Sequence, residues 1–93
     1  MTTKAYYMYV IQCADNSLYC GFTDNVIRRF NAHQSYHGAK YTRVRSRHPL
    51  KLLYQEAFDN KHDALSAEYH FKHQTRNKKL DYLKKHGINI NNL

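Results

Sequence analysis

Two short tyrosine-rich segments near the N-terminus carry side chains suited to phosphate chemistry. The first ends at Tyr9, and the second begins ten positions later at Tyr19. Arg29 follows after ten more residues and His33 after a further four, a spacing that puts Arg29 and His33 on one face of a helix. Hydrolysis of a phosphodiester needs an activated water, a proton acceptor and positive charge on the phosphate. Tyr, His and Arg side chains can supply these three functions.

A single carboxylate, Glu68, is a candidate metal ligand. One carboxylate suits one Mg²⁺ or Mn²⁺ ion, because these cations keep several waters in their coordination shell. The alternative is a surface ion pair with Lys72, four residues further along a helix. No zinc site is expected, because His70, His73 and Cys20 fit no tight ligand spacing.

A third group of side chains predicts contacts with a nucleic-acid backbone. Arg43, Arg45 and Arg47 alternate with other residues, so an extended segment would place three guanidiniums along one edge. Lys40 and Tyr41 lie just before them, and the tyrosine could stack on an unpaired base. The alternative is a solvated loop.

Charge is distributed unevenly along the chain. The net charge of +8 divides into −1 over residues 1–24, +7 over residues 25–55, −3 over residues 56–68 and +5 over the remainder. Two basic blocks on either side of a short acidic one indicate a surface that binds a polyanion, with an acidic group beside it.

Length and composition restrict the class of protein. We expect the 93 residues to form one domain, 1–93, and the 42% hydrophobic content argues against a disordered basic tail. No apolar run is long enough for a membrane span, and the N-terminus does not resemble a signal peptide. Two cysteines cannot build a disulfide scaffold. These features predict a soluble cytoplasmic protein without a membrane partner.

The tyrosine-rich segments read as a β-hairpin. Strands are predicted over Tyr6–Cys13, covered on both faces, and over Leu18–Phe22. A three-residue loop with Asn16 in the left-handed conformation would put Tyr9 and Tyr19 on the same face of the sheet. A two-residue turn would put them on opposite faces.

Three helices and one strand are predicted after the hairpin. Thr23 or Asp24 caps a first helix that fades near Gly38. Its predicted buried stripe is Val26, Ile27 and Phe30. Leu50–Phe58 is a strand, and its predicted period-two positions are Leu52, Tyr54 and Phe58.

Asp59 or Asn60 caps the second helix, which runs to about Thr75. Its predicted core residues are Leu65, Tyr69 and Phe71. The last helix, Lys78–Lys85, stops at Gly87 and turns Leu80 and Leu83 inward.

This order, β-β-α-β-α-α, predicts an α+β domain in which helices pack on a three-stranded antiparallel β-sheet. We expect an ordered core over about residues 5–86 and a frayed end over residues 88–93.

The chemistry-bearing residues carry a family resemblance. The two segments Tyr7-Met8-Tyr9 and Tyr19-Cys20-Gly21 resemble the halves of the GIY-YIG nuclease motif. The resemblance extends from Tyr6 to about Leu83, and it places Arg29, His33 and Glu68 where that family would have them. The sequence departs from the motif at Tyr7 and Met8, which replace Gly and Ile.

Within this superfamily the chain looks most like small, stand-alone bacterial members. Their Gly-Ala-Lys-Tyr-Thr stretch stands here at residues 38–42. Many members have an asparagine near the end of the domain, and Asn77 lies in that region. We expect no attached DNA-binding domain of the kind that targets larger members.

The resemblance implies a DNA endonuclease that uses one divalent cation, in DNA repair, recombination or processing. Tyr19 would activate water, with Tyr9 as its hydrogen-bonding partner. Arg29 would bind the scissile phosphate, and His33 would orient water or bind phosphate. Glu68 would hold the metal, and Gly21 would let the backbone approach the substrate.

The implied partner is DNA, which could be branched, damaged or of any sequence, together with a possible repair protein. Two alternatives remain open. The chain could be a non-catalytic nucleic-acid-binding module, or an adaptor that keeps the nuclease fold.

Overall fold

The computed structural model describes residues 4–88. The strands are β1 (Tyr6–Gln12), β2 (Leu18–Thr23) and β3 (Lys51–Phe58). The helices are α1 (Val26–Gln34), α2 (Lys61–Lys72) and α3 (Arg76–Lys85). Two 3₁₀ turns, Lys40–Arg43 and Arg45–Arg47, lie between α1 and β3. The predicted class and element order are confirmed.

Strand β1 is the centre of an antiparallel sheet ordered β2-β1-β3. Its alternating side chains enter two separate hydrophobic clusters. Met8 and Val10 pack with Phe71 and Leu83, while Tyr9 packs on the other face in a cluster that includes Val26 and Leu50. A central strand that is covered on both faces explains the continuous apolar run in the sequence.

The hairpin loop fixes the register of β1 and β2. Asn16 has a φ of 67°, and the amide of Cys13 donates to the carbonyl of Ser17 at 2.9 Å. Three residues therefore separate the paired positions, which is the odd loop of the two alternatives. Tyr9 pairs with Gly21 and Ile11 pairs with Tyr19, so both tyrosines lie on the same face.

Helix α1 begins later and ends earlier than predicted. Its N-cap is Asn25, whose Oδ1 accepts from the amide of Arg28 at 3.0 Å, in place of Thr23 or Asp24. It ends at Gln34, well before Gly38, where Ser35 is the C-cap and Tyr36 has a φ of 65°.

The prediction that Ile27 is buried was wrong, because this residue is 75% exposed. The inner face of α1 instead carries Val26, Phe30 and His33, which follow the i, i+4, i+7 spacing of one helix face. Ile27 lies about 100° further around the helix, and this rotation turns it to solvent.

Strand β3 contains a bulge that the alternating pattern did not reveal. Val10 pairs with Tyr54 and the next residue, Ile11, pairs with Leu52, so Leu53 is the extra residue. The bulge reverses the alternation. Leu52 therefore joins the cluster around Tyr9, whereas Tyr54 packs on the opposite face.

Asn60 caps α2 as predicted, with Oδ1 accepting from the amide of Asp63 at 2.8 Å. The helix ends at Lys72, because Thr75 is the N-cap of α3 and Arg76 its first residue.

Two residues predicted in the α2 core were misplaced. Leu65 is 39% exposed and Tyr69 is 58% exposed. The buried positions are Ala64 and Phe71, two turns apart on the face that contacts the sheet. In α3, Leu83 is fully buried and Leu80 is half-buried.

Of the segment expected to fray, only Ile88 is among the described residues, and it packs against the Phe71 cluster. Residues 89–93 lie outside the described part of the chain. None of the helices within residues 4–88 combines the length and apolar character needed to span a membrane.

Candidate active site

The site is centred on a buried pair of side chains from β1 and α1. Tyr9 is 1% exposed and His33 is fully buried. The Tyr9 hydroxyl lies 2.8 Å from Nε2 of His33. The expected partner of Tyr9 was Tyr19, but those two rings are tilted with centroids 6.4 Å apart, and the hydroxyl of Tyr9 bonds to His33.

Thr42 determines which nitrogen of His33 carries the proton. Its hydroxyl donates to the carbonyl of Ala39 at 3.1 Å, so its oxygen accepts from Nδ1–H of His33, 2.5 Å away. Nε2 is then the acceptor for the hydroxyl of Tyr9. The hydrogen bonds run in one direction, from Tyr9 through His33 and Thr42 to the backbone.

The ionisation of both rings agrees with this direction. Burial, together with the smaller effect of the nearby charge of Arg29, lowers the pKa of His33 to about 4, so the imidazole is neutral at physiological pH. Burial also raises the pKa of Tyr9 well above its ordinary value, although a hydrogen bond from Arg29 opposes that shift. Tyr9 therefore remains a neutral phenol, and its hydroxyl donates a hydrogen bond to Nε2 of His33.

Two glycines make room for these rings. A Cβ built on Gly21 would lie 2.9 Å from Cε1 of Tyr9 and closer still to the hydroxyl end of the ring. A Cβ on Gly38 would lie 2.8 Å from Cγ of His33. Real Cβ atoms are not found this close to other heavy atoms. Gly21 therefore makes room for the ring of Tyr9, whereas the sequence analysis expected it to make room for the substrate.

Tyr19 is half-buried, whereas Tyr9 is fully buried. Its ring meets the ring of His33 edge-on with centroids 5.2 Å apart, and stacks on Tyr41 at 6.0 Å. The ammonium of Lys72 lies 5.8 Å from the centroid of the Tyr19 ring. Tyr19 can therefore present its hydroxyl to solvent while its ring is fixed by aromatic neighbours.

Arg29 and Glu68 approach from different helices. Arg29, on α1, is half-buried and acts to lower the pKa of Tyr9, while the charge of Glu68, on α2, acts to raise it. Oε2 of Glu68 lies 3.6 Å from Nζ of Lys72, and the Glu68 side chain is 18% exposed. The surface ion pair of the alternative interpretation is therefore present, and it lies beside the candidate site.

The candidate metal ligand of the site, the carboxylate of Glu68, is an oxygen donor of the kind that hard cations prefer. Within residues 4–88, no three or more His, Cys, Asp or Glu side chains are grouped as metal ligands. Glu68 can contribute one carboxylate to Mg²⁺ or Mn²⁺, with waters and a substrate phosphate as the other ligands. The residues present therefore fit a cation whose coordination shell is completed by water and by the substrate phosphate.

The basic segment does not have the extended form that was predicted. It folds into the two 3₁₀ turns, so Arg43, Arg45 and Arg47 do not share one edge. Arg43 donates to the carbonyl of Gly38 at 3.1 Å while remaining exposed. Lys40 and Arg45 are also exposed.

Arg47 instead has a structural position. Its guanidinium lies 3.7 Å from the centroid of the Tyr41 ring, donates to the carbonyl of Tyr41 at 2.9 Å and lies 3.4 Å from the carboxylate of Asp15. This packing holds Tyr41 against Tyr19.

Sequence reasoning missed Thr42, Gly38 and Lys72 as site residues. Gly38 and Thr42 are the first and last residues of the Gly-Ala-Lys-Tyr-Thr stretch. The resemblance of this stretch to small bacterial family members was the signal that could have identified them. Its role is to enclose His33. Asn77 is exposed in the first turn of α3.

These observations define a class of protein. Residues 5–81 match the family described as the GIY-YIG catalytic domain. Since this match covers most of the chain, the protein belongs to the GIY-YIG family, whose domains are generally endonucleases that use a divalent metal ion.

Within that family, the chain is similar to small bacterial UPF0213 proteins. The UPF0213 protein of Limosilactobacillus reuteri is 64% identical over 90 residues, which cover 97% of this chain and 94% of that protein. The UPF0213 protein of Lactiplantibacillus plantarum is 59% identical over 87 residues, covering 94% and 86%.

Two solution NMR structures have the same fold. A protein from E. faecalis superposes with a TM-score of 0.64 and 39% identity, over 97% of this chain and 94% of that one. The UPF0213 protein BH0048 from Bacillus halodurans gives a TM-score of 0.58 and 40% identity, over 86% and 83%.

Proposed function

We propose that the protein is a DNA endonuclease that hydrolyses phosphodiester bonds with one divalent cation, Mg²⁺ or Mn²⁺, in DNA repair, recombination or processing in the cytoplasm. The observation that carries the proposal is the convergence of four groups from four elements. Tyr9, Tyr19, Arg29 and Glu68 come from β1, β2, α1 and α2. The rings of Tyr9 and Tyr19 both lie against the ring of His33, with centroids 5.8 and 5.2 Å away. The ammonium of Lys72 lies 5.8 Å from the centroid of the Tyr19 ring and 3.6 Å from the carboxylate of Glu68, and the charge of Arg29 acts on the hydroxyl of Tyr9.

Each of these side chains has a separate role in the proposed reaction. Tyr19 holds and activates the attacking water, because it is partly accessible whereas Tyr9 is buried with its hydroxyl bonded to His33. Arg29 binds the scissile phosphate through its fork of donors and stabilises the charge that develops on it. Glu68 holds the cation, which when bound supplies further positive charge to the phosphate oxygens.

His33 is a positioning residue in this proposal. Its ring is fully buried and both nitrogens are occupied, by Tyr9 and Thr42, so no ring nitrogen is free for water or phosphate. It fixes Tyr9 through the hydrogen bond to Nε2, and its ring also packs edge-on against Tyr19 with centroids 5.2 Å apart. This replaces the expectation that His33 itself orients water or binds phosphate.

The test is nicking of supercoiled plasmid with Mg²⁺ or Mn²⁺ and with chelator. Wild type is compared with Tyr19→Phe, Arg29→Ala and Glu68→Ala, which remove the hydroxyl, the guanidinium and the carboxylate. Nicking that requires metal and is lost in all three variants, with DNA binding retained in Tyr19→Phe, supports the proposal. Nicking that survives in all three would contradict it.

A non-catalytic nucleic-acid-binding module is the second candidate, favoured by the exposed cations Lys40, Arg43 and Arg45 beside the site. It predicts salt-sensitive DNA binding without metal-dependent nicking. Neither binding nor nicking would indicate an adaptor for a repair protein.

A further inference from the structure

An open cleft of about 450 Å³ adjoins the candidate site. Its volume falls within the range of pockets that hold small organic ligands. Seven residues from β1, β2, α1, α2 and the segments before them line the cleft: Lys4, Tyr6, Phe22, Thr23, Asp24, Arg29 and Lys61. Arg29 is therefore shared between this cleft and the site around Tyr9.

The cleft has positively charged side chains that can bind an anion. Its one carboxylate, Asp24, lies 2.8 Å from Nζ of Lys4 and 3.4 Å from Nη2 of Arg28, so two cations already neutralise it. Within residues 4–88, neither Arg29 nor Lys61 forms an ion pair. An anionic group is the complement of this pair of cations.

One wall of the cleft is aromatic. The rings of Tyr6 and Phe22 stack almost in parallel, with centroids 5.9 Å apart and planes inclined by 10°. Both rings are half-buried and line the cleft. Aromatic faces beside cations are the combination that binds the bases and phosphates of single-stranded nucleic acid.

We infer that this cleft binds the nucleotide next to the scissile phosphate, with its base unpaired. The base lies against Tyr6 and Phe22, the flanking phosphate meets Lys61, and Arg29 bridges to the scissile phosphate. The inference rests on the proposed nuclease function and narrows its substrate to DNA with an unpaired nucleotide beside the cut. A paired base cannot reach the aromatic wall, because its faces are stacked in the duplex.

The first test records amide chemical shifts of the protein, in chelator, with deoxyadenosine 5′-monophosphate and separately with inorganic phosphate. The nucleotide is expected to shift the amides of Phe22 and Lys61, and phosphate alone to shift Lys61 without Phe22. The inference is overturned if the nucleotide and phosphate move the same amides, or if the shifts cluster elsewhere.

The second test measures binding of a short single-stranded oligonucleotide by fluorescence anisotropy, also in chelator. Lys61→Met is compared with Lys84→Met, which removes the same charge from the exposed face of α3. We expect the Lys61 variant to bind about 3–10 times more weakly than the Lys84 variant. Both variants lose one positive charge, but only the Lys61 variant also loses a specific contact with a phosphate. Equal weakening would overturn the inference.

Neither measurement depends on cleavage, so the two proposals can fail separately. A protein that binds nucleotide in the cleft but cleaves neither supercoiled plasmid nor DNA with a single-stranded flap keeps the cleft proposal and loses the nuclease proposal. If Lys61→Met nicks DNA with unchanged efficiency, the nuclease proposal stands and the cleft inference is overturned.

Discussion

Nδ1 of His33 lies 2.5 Å from Oγ1 of Thr42, so a residue in a 3₁₀ turn fixes the position of a proton on a ring in α1. Both side chains are fully buried. This hydrogen bond makes the tautomer of His33, and hence the donor role of Tyr9, a property of the tertiary fold.

Thr42→Val keeps the shape of this side chain and removes its hydroxyl. It leaves Nδ1–H of His33 buried without an acceptor, which should lower the free energy of unfolding by about 1–3 kcal/mol. Urea denaturation measures the loss, and ¹⁵N chemical shifts of the ring report the tautomer. Thr42→Ser is the matched control and should retain both properties. A Val variant as stable as wild type would contradict the proposed direction of the hydrogen bonds.

The buried imidazole also predicts how stability depends on pH. Burial, together with the charge of Arg29, lowers the pKa of His33 from 6.5 to about 4. Between these values the unfolded chain binds the extra proton, so stability should be complete above pH 6.5 and fall towards pH 4, by at most about 1.4 kcal/mol per pH unit.

Urea denaturation at about pH 7 and about pH 5 tests this slope, with His33→Gln as the comparison. The amide can accept from Tyr9 and donate to Thr42, but it does not titrate. The slope should be smaller in the variant. An equal slope would assign the effect to other groups.

Gly21→Ala should destabilise the protein by about 1–3 kcal/mol, because the added methyl group would overlap the ring of Tyr9. Thermal denaturation checks the loss. The double variant with Tyr9→Ala is the control, since the cost of the methyl group should largely disappear when the ring is absent. Additive losses in the double variant would show that the two residues do not interact.

Lys72→Met should tighten the binding of Mg²⁺ or Mn²⁺ by about twofold to fivefold, because a partly exposed cation that pairs with Glu68 competes with the metal. Titration calorimetry measures this directly and needs no cleavage. Lys79→Met is the control, since Lys79 lies 5.9 Å from the centroid of the Phe71 ring and does not pair with Glu68. Weaker metal binding in Lys72→Met would contradict the competition.

Arg45 and Arg47 should respond differently to substitution. Arg45→Ala is expected to reduce the slope of log K against log salt for DNA binding by about one and to leave the melting temperature unchanged, because Arg45 is exposed. Arg47→Ala should lower the melting temperature, because it removes the contacts to Tyr41 and Asp15. The reverse pattern would show that Arg47 is the DNA contact.

The sequence alone was enough to predict the order of elements, because strand and helix periodicities are local. It left two registers of the hairpin open, and the left-handed conformation of Asn16 in the structure decides for the three-residue loop. It also identified Arg29 and Glu68 as the charged candidates, because they match positions of the GIY-YIG family pattern. Whether those residues act as proposed is for the nicking experiment to decide.

The tertiary structure alone determined which groups are buried and which bonds they form. Ile27 is exposed because α1 presents a neighbouring face to the sheet, and Leu52 changes face because β3 contains a bulge. His33 is neutral because the fold buries its ring and places Arg29 nearby, and Thr42, nine residues away, accepts the hydrogen bond from its Nδ1–H. Such properties arise from contacts between separate elements, and the spacing of residues along one element does not encode them.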